Sequence, residues 1–284
     1  MLQHLEKKNV TMLPGLFRER MLVNRNYLLE LGTQELLQNY YLEAGIVMPD
    51  LQVLERPETA KLHWGWEAPT CQLRGHFLGH WLSAASSLIA SENDAALKAK
   101  LDEIISELAR CQELNGGEWI GPFPEKYFTR LEKELHIWSP QYVMHKLIMG
   151  LTHAYLYAGN EQALTIVRHL ADWYIRWTEK VQSTNPHAVY SGEESGMLEM
   201  WAQLFETTKD PVYETLASRY SNPSLFHNLS EGKDALTNCH TNSSIPWAHG
   251  AARMYEVTGD EKYKTIVELF WKCAVTDRGY FCTG

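Results

Sequence analysis

Three short stretches hold the side chains best able to do chemistry. In the first, Gln72-Leu73-Arg74-Gly75-His76-Phe77-Leu78-Gly79-His80, the two histidines stand four residues apart. That puts them on one helical face, the spacing by which metal-binding helices present a pair of imidazoles. A zincin helix also needs Glu directly after the first His, where Phe77 stands. Two imidazoles are one ligand short of a catalytic metal site, so no metal ligand is assigned. His76 is read instead as lining a polar cavity, with Gly75 and Gly79 letting a second helix come close. The second stretch, Tyr190-Ser191-Gly192-Glu193-Glu194-Ser195-Gly196, holds adjacent carboxylates at a loop-to-helix junction. Acetal cleavage commonly takes two carboxyl groups. Sequence neighbours do not face each other on a helix, so Glu193 and Glu194 are not that pair by themselves. Acids there also offset the helix dipole. The third, Asn238-Cys239-His240-Thr241-Asn242-Ser243-Ser244-Ile245-Pro246, is polar before it enters the helix containing His249. Its amides and hydroxyls suit a polyol, and equally suit a capping loop.

Two further candidates lie between these. Ser139-Pro140 reads as an N-cap followed by proline at the first helical position, placing His145 near that helix start as either a cavity or a core residue. Asn115 to Pro124 carries three glycines and two prolines around Trp119, so it is a loop that serves as a lid or a subsite wall, or whose Trp is a plug.

The elements that position these residues read as helical nearly throughout. From Leu16 to Leu42 apolar residues recur at three- and four-residue steps, as in an amphipathic helix. Asn93 and Asp94 open another, with Leu97, Leu101, Ile104, Ile105 and Leu108 on one face and Gly116-Gly117 closing it. Asn160, Asp210 and Asp260 each stand between two helical patterns, at intervals of 50 residues. Such a period means one supersecondary unit repeated, here a helix hairpin capped by Asn or Asp. Terse turns alternate with long loops rich in Gly, Pro, Trp and His, which favours a closed toroid over an open solenoid. The fold expected is an all-α (α/α)6-barrel.

Composition narrows the partners. Apolar residues are 45% of the 284 and charged residues 21%, enough for a core and unlike a disordered chain. The net charge of −9 and the lack of a basic, aromatic-interleaved stripe argue against nucleic acid. No run of eighteen apolar residues predicts a membrane span, and charged residues at 6–8 interrupt any signal peptide, so a cytoplasmic location is expected. Five cysteines, at 71, 111, 239, 273 and 282, form no CxxC pair and write neither a disulfide framework nor a zinc ribbon. Ten Trp and fourteen Tyr suit a core or stacking on sugar faces.

Taken in order, GWE, QLRGHFLGHWLSA, NGGEWIGPFPE, WSPQYVMHKLIMGLTHAYLYAGN, GEESGMLEM, HTNSSIPWAHGAARMYEVTGD and RGYFCTG resemble glycoside hydrolase family 127 from about Leu16 to Gly284. The resemblance implies an (α/α)6-barrel catalytic domain and an exo-acting β-L-arabinofuranosidase on arabinose-containing glycans. It carries over His145, Glu193, Glu194, His240 and Asn242 as sugar-pocket residues, with Trp66, Gln72 and His76 beside them. Complete members hold a cysteine nucleophile on zinc, with an acid/base glutamate, in segments that follow the one matching Arg278–Gly284. No cysteine here has the Glu-x-Cys or Cys-Cys pattern of that site. The whole of 1–284 is thus expected to be one barrel catalytic domain, incomplete at its C-terminus, without cofactor and inactive by itself. Its uncovered helix faces predict a homodimer or poor solubility. His240-Thr241-Asn242-Ser243-Ser244-Ile245-Pro246-Trp247 departs from the family's usual His-Ala-Asn-Thr-Gln-Ile-Pro-Lys, which leaves the sugar open. Two other readings fit the residues: a sugar epimerase or isomerase working through His76, His145 and His240, or a non-catalytic glycan-binding protein.

Overall fold

The structure is a computed structural model that describes residues 5–47 and 62–279. The end of the Arg278–Gly284 motif, with Cys282, lies outside the described residues. The chain divides into two compact units, Met1–Trp173 and Tyr174–Gly284. Among the described residues the regular elements are all helical. The first unit holds α1 (Leu16–Glu30), α2 (Thr33–Glu43), α3 (His76–Glu92), α4 (Ala95–Leu114), α5 (Lys126–Glu132), α6 (Pro140–Ala158) and the first part of α7 (Glu161–Thr184). The second holds the rest of α7, then α8 (Met197–Thr208), α9 (Pro211–Tyr220), α10 (Ser224–Ser230), α11 (Thr241–Thr258) and α12 (Glu261–Trp271).

One turn design makes the hairpins. Asn93, Gly159, Lys209 and Gly259 end α3, α6, α8 and α11 in the left-handed conformation, with φ of 53°, 65°, 57° and 69°. The next residue then caps the following helix: Asp94 accepts from Ala96 and Leu97 N–H, Asn160 from Ala163, Asp210 from Val212 and Asp260 from Lys262. The left-handed residue reverses the chain, and the Asn or Asp oxygen takes amides that no helical carbonyl can reach. Each cap contributes about 1 kcal/mol. The expected 50-residue repeat is present, and Asn93-Asp94 makes a fourth copy of its turn.

Within the first unit α3 and α6 run side by side in the same direction. They meet at Gly79, where an added Cβ would overlap the Lys146 carbonyl. Glycine is needed there because backbone approaches backbone. On its other side α3 packs on α4, whose Leu97, Leu101, Ile104, Ile105 and Leu108 are all fully buried, as their spacing predicts. In the second unit α8 packs on α11 and α9, and α12 packs on α11.

Two local expectations are corrected and a third, open between two alternatives, is decided. The stretch from Leu16 to Leu42 is two helices, not one. Lys100, from α4, donates to the carbonyls of Leu28 (3.2 Å), Leu29 (2.9 Å) and Leu31 and so ends α1, and Gly32 is extended. Ser139 stands before Pro140 in the left-handed conformation with its hydroxyl buried and uncapping. Trp119 is a plug: 3% exposed, it packs on Phe123, Phe128 and Trp173 and donates to the Phe123 carbonyl at 3.2 Å.

Candidate functional site

In the first unit the chemistry gathers at the start of α3. That helix begins after Gly75, which has no side chain to cap it. The cap comes from Glu67 in the 3-10 turn Gly65–Glu67. Its Oε2 accepts the Gly75 N–H at 2.6 Å and its Oε1 the Phe77 N–H at 3.0 Å. Oε1 also lies 2.7 Å from Nδ1 of His76, a nitrogen that is 3.1 Å from the Leu73 carbonyl as well. Burial pushes the Glu67 carboxyl up, but the His76 hydrogen bond, the two amides and the His76 charge outweigh it and hold Glu67 below its ordinary value. An ionised Glu67 and a carbonyl both call for a proton on Nδ1. The tautomer is thereby set, and Nε2 is left as an acceptor. Among the described residues Nε2 has no protein hydrogen bond, and the ring centroids of Trp66, His80 and Tyr142 lie 6.2, 6.0 and 6.1 Å from that of the His76 ring.

The platform under this pair is rigid. Buried Gln38 donates to the carbonyls of His63 and Glu67, both at 2.8 Å, and accepts the His63 N–H at 2.8 Å. Buried Asn39 donates to the Glu67 carbonyl at 2.9 Å and to its carboxylate at 3.3 Å. Gln72 Oε1 takes the Trp138 N–H at 2.6 Å, tying the turn before α3 to the turn before α6. Farther along the same helix pair, Ser83 Oγ and His153 Nδ1 are 2.7 Å apart. Burial, then the Lys146 and His76 charges, push His80 down to about 4, while burial and Lys7 take His153 to about 4. His145 is 7% exposed and, among the described residues, its Nε2 has no partner. Burial and then the Lys146 charge drive it far below the usual imidazole range. It is a neutral core ring.

In the second unit Glu194 opens the 3-10 turn Glu194–Gly196 before α8, and α11 packs against that turn. Glu193 precedes it in the left-handed conformation, φ 59°. Glu194 is 7% exposed. Burial, then the Glu193 charge, push its carboxyl up to about 7 against the pull of its own backbone N–H. Near neutral pH much of it is the acid, an O–H donor in a dry setting. Its charge helps push the phenols of Tyr190 and Tyr220 up, after burial, which is the larger cause for both. Tyr190 is pinned: it donates to the Arg219 carbonyl at 2.9 Å and accepts the Asn222 N–H at 3.1 Å. Trp247, 7% exposed, packs on Tyr190 and Phe226 and is a core residue. His240 and Asn242 are exposed; α11 already begins at Thr241, and the His240 carbonyl accepts the Ser243 and Ser244 amides at 3.0 Å.

The first unit thus sets Trp66 beside His76, ties Gln72 to the Trp138 backbone and buries His145. The second sets Glu194 in its interior beside Glu193, with His240 and Asn242 on its surface. Sequence reasoning missed Glu67 as a site residue. The available signal was the lack of any Ser, Thr, Asp or Asn to cap the helix at Gly75, which required an acceptor from elsewhere. No three His, Cys, Asp or Glu side chains converge to hold a metal among the described residues. Cys111 and Cys273 are buried, Cys71 half-buried and Cys239 exposed, all free thiols, and burial pushes Cys111 up to about 12. A zinc held by thiolates does not fit these residues. No helix of the described residues is long and apolar enough to cross a membrane.

Repeated hairpins with parallel first helices and Asx-capped turns place the chain in the (α/α)-barrel class. The family model of the β-L-arabinofuranosidase GH127 catalytic domain matches residues 9–284, and the chain belongs to that family, a glycoside hydrolase family. The fold is shared with the crystal structure of Ara127N, a GH127 β-L-arabinofuranosidase from Geobacillus stearothermophilus T6, at a TM-score of 0.59 and 14% identity. That likeness covers 93% of this chain and 45% of the other, so the chain spans less than half the length of that relative. No curated protein matches it.

Proposed function

We propose that this chain carries sugar-binding residues of a β-L-arabinofuranosidase that takes arabinose from the non-reducing end of arabinose-containing glycans. The observation that carries the reading is the Glu67–His76 pair. A half-buried carboxylate fixes an imidazole tautomer and leaves Nε2 as an acceptor for a sugar hydroxyl, at 2.7 Å between carboxylate and ring. Polyol recognition needs donors and acceptors held in place before the ligand arrives, since ordering them afterwards costs affinity. The zinc–cysteine centre implied by the family resemblance is proposed to come from residues outside 1–284, and the residues here are assigned binding and orientation only.

The test is titration calorimetry of the chain with methyl β-L-arabinofuranoside. Saturable binding that weakens about tenfold in His76→Ala, equivalent to about 1.4 kcal/mol, is expected. Glu67→Gln should weaken it less, because the ring stays but its tautomer is no longer imposed. No saturable binding by the wild-type chain, or equal affinity in His76→Ala, would overturn the assignment.

A further inference from the structure

One side chain from α2 holds Glu67 at both ends. Asn39 is 2% exposed, and its Nδ2 donates to the Glu67 main-chain carbonyl at 2.9 Å and to the Glu67 carboxylate at 3.3 Å. An amide that bridges the backbone and side-chain oxygens of one residue fixes the torsions between them. The neighbouring Gln38 grips backbone only, at the His63 and Glu67 carbonyls and the His63 N–H. Gln38 secures the turn; of the two, Asn39 reaches the carboxylate.

The carboxylate oxygens then divide the donors. Oε2 takes the Gly75 N–H at 2.6 Å and the Asn39 amide, while Oε1 takes the Phe77 N–H at 3.0 Å and faces His76 Nδ1 at 2.7 Å. Held by the two backbone amides alone, the carboxylate could turn about them and draw Oε1 off the ring. The Leu73 carbonyl, 3.1 Å from Nδ1, would then be left as a weaker, neutral acceptor.

Asn39 is poorly satisfied in its own right. Its Oδ1 is buried and has no hydrogen-bond partner among the described residues. Turning the amide over gives no relief, because Oδ1 would then face two acceptor oxygens of Glu67. An unpaired buried acceptor carries a desolvation penalty and calls for a reason other than stability. The grip on the carboxylate supplies one.

We infer that Asn39 is a positioning residue for His76: through the Glu67 carboxylate it maintains the Nδ1–H hydrogen bond, and so the ring whose Nε2 is left as an acceptor. Its effect at His76 follows from the geometry, and its effect on ligand binding rests on the sugar site proposed above.

The experiment is proton–nitrogen NMR of the full 284-residue chain carrying isotope-labelled histidine, in wild type, Asn39→Ala, Glu67→Gln and the double variant, with His76→Ala to assign the signal. A charge-assisted bond to a carboxylate is short and strong, so the wild-type His76 Nδ1–H resonance is expected far downfield and slow to exchange with water. Asn39→Ala should move it upfield and speed its exchange about tenfold, and should add nothing once Glu67→Gln is present. Affinity for methyl β-L-arabinofuranoside should fall about threefold in Asn39→Ala, and no further in the double variant than in Glu67→Gln. Asn39→Ser, which keeps one donor and leaves a smaller void, serves the same comparison where the alanine variant does not fold. An unchanged His76 resonance in a folded Asn39 variant, or an equal shift with and without the Glu67 carboxylate, would overturn the inference and leave Asn39 a packing residue. A wild-type ring without a proton on Nδ1 would overturn it as well. The expected NMR shifts in a wild type that binds no sugar would uphold the positioning role and remove the sugar site instead.

Discussion

Glu194→Gln isolates the electrostatic cost built into the second unit. The carboxyl rises from 4.5 in an unstructured chain to about 7 in the fold, chiefly because it is buried. Each pKa unit corresponds to about 1.4 kcal/mol, so ionising Glu194 in place costs about 3 kcal/mol more than in water. A folded value above the unfolded one means that the fold is favoured fully below pH 4.5 and loses that contribution as the pH rises through about 7. Glutamine keeps the shape and cannot ionise. Chemical denaturation followed by tryptophan fluorescence at pH 5 and at pH 8.5 should therefore show the variant gaining on wild type by about 2–3 kcal/mol across the interval. Taking the difference between the two proteins cancels every other group that titrates there. Parallel stability curves over this range would refute the reasoning, because Glu194 would then be ionised without penalty and not an O–H donor near neutral pH.

Gly79→Ala should destabilise the first unit by about 1–3 kcal/mol or more, since the new methyl meets the Lys146 carbonyl and two backbones must part; an unchanged thermal midpoint would contradict the close approach. Asp260→Ala removes the acceptor for Lys262 N–H and should cost about 1 kcal/mol, with Asp260→Asn close to neutral. His153, held at about 4 by burial and by Lys7, resists protonation, so its contribution is present above pH 6.5 and lost as the pH falls toward 4. An NMR titration should find its imidazole protonating well below pH 6.5, and moving upward in Lys7→Ala.

The hairpin architecture was legible in the sequence because its information is local. A left-handed residue followed by Asn or Asp marks each turn, and the α4 face repeats at helical spacing. What was not legible came from distant partners. The break at Gly32 depends on Lys100, which belongs to another helix and caps α1 from the side. Ser139 and Pro140 looked like a cap because the dipeptide fits one, but the serine adopts the left-handed conformation and its hydroxyl points into the interior. The candidate site was half readable. His76 was picked out by its spacing from His80 and Trp66 through the family resemblance, and their rings lie 6.2 Å apart, whereas Glu67 entered only once the 3-10 turn folded back on the start of α3. Residue type also nominated His145, whose burial no spacing rule could reveal. For Glu194 the chemistry lies in burial, which the acid pair Glu193-Glu194 does not encode by itself.

The most direct test of the account is hydrolysis of an aryl β-L-arabinofuranoside, measured for this chain beside one extended along its genomic reading frame. Turnover confined to the extended chain, and reduced there by His76→Ala, is the predicted result. Turnover by the 284-residue chain alone would contradict the account and move catalysis onto the residues described here. Sugar binding without turnover in either chain would mark a glycan-binding protein built on the same barrel.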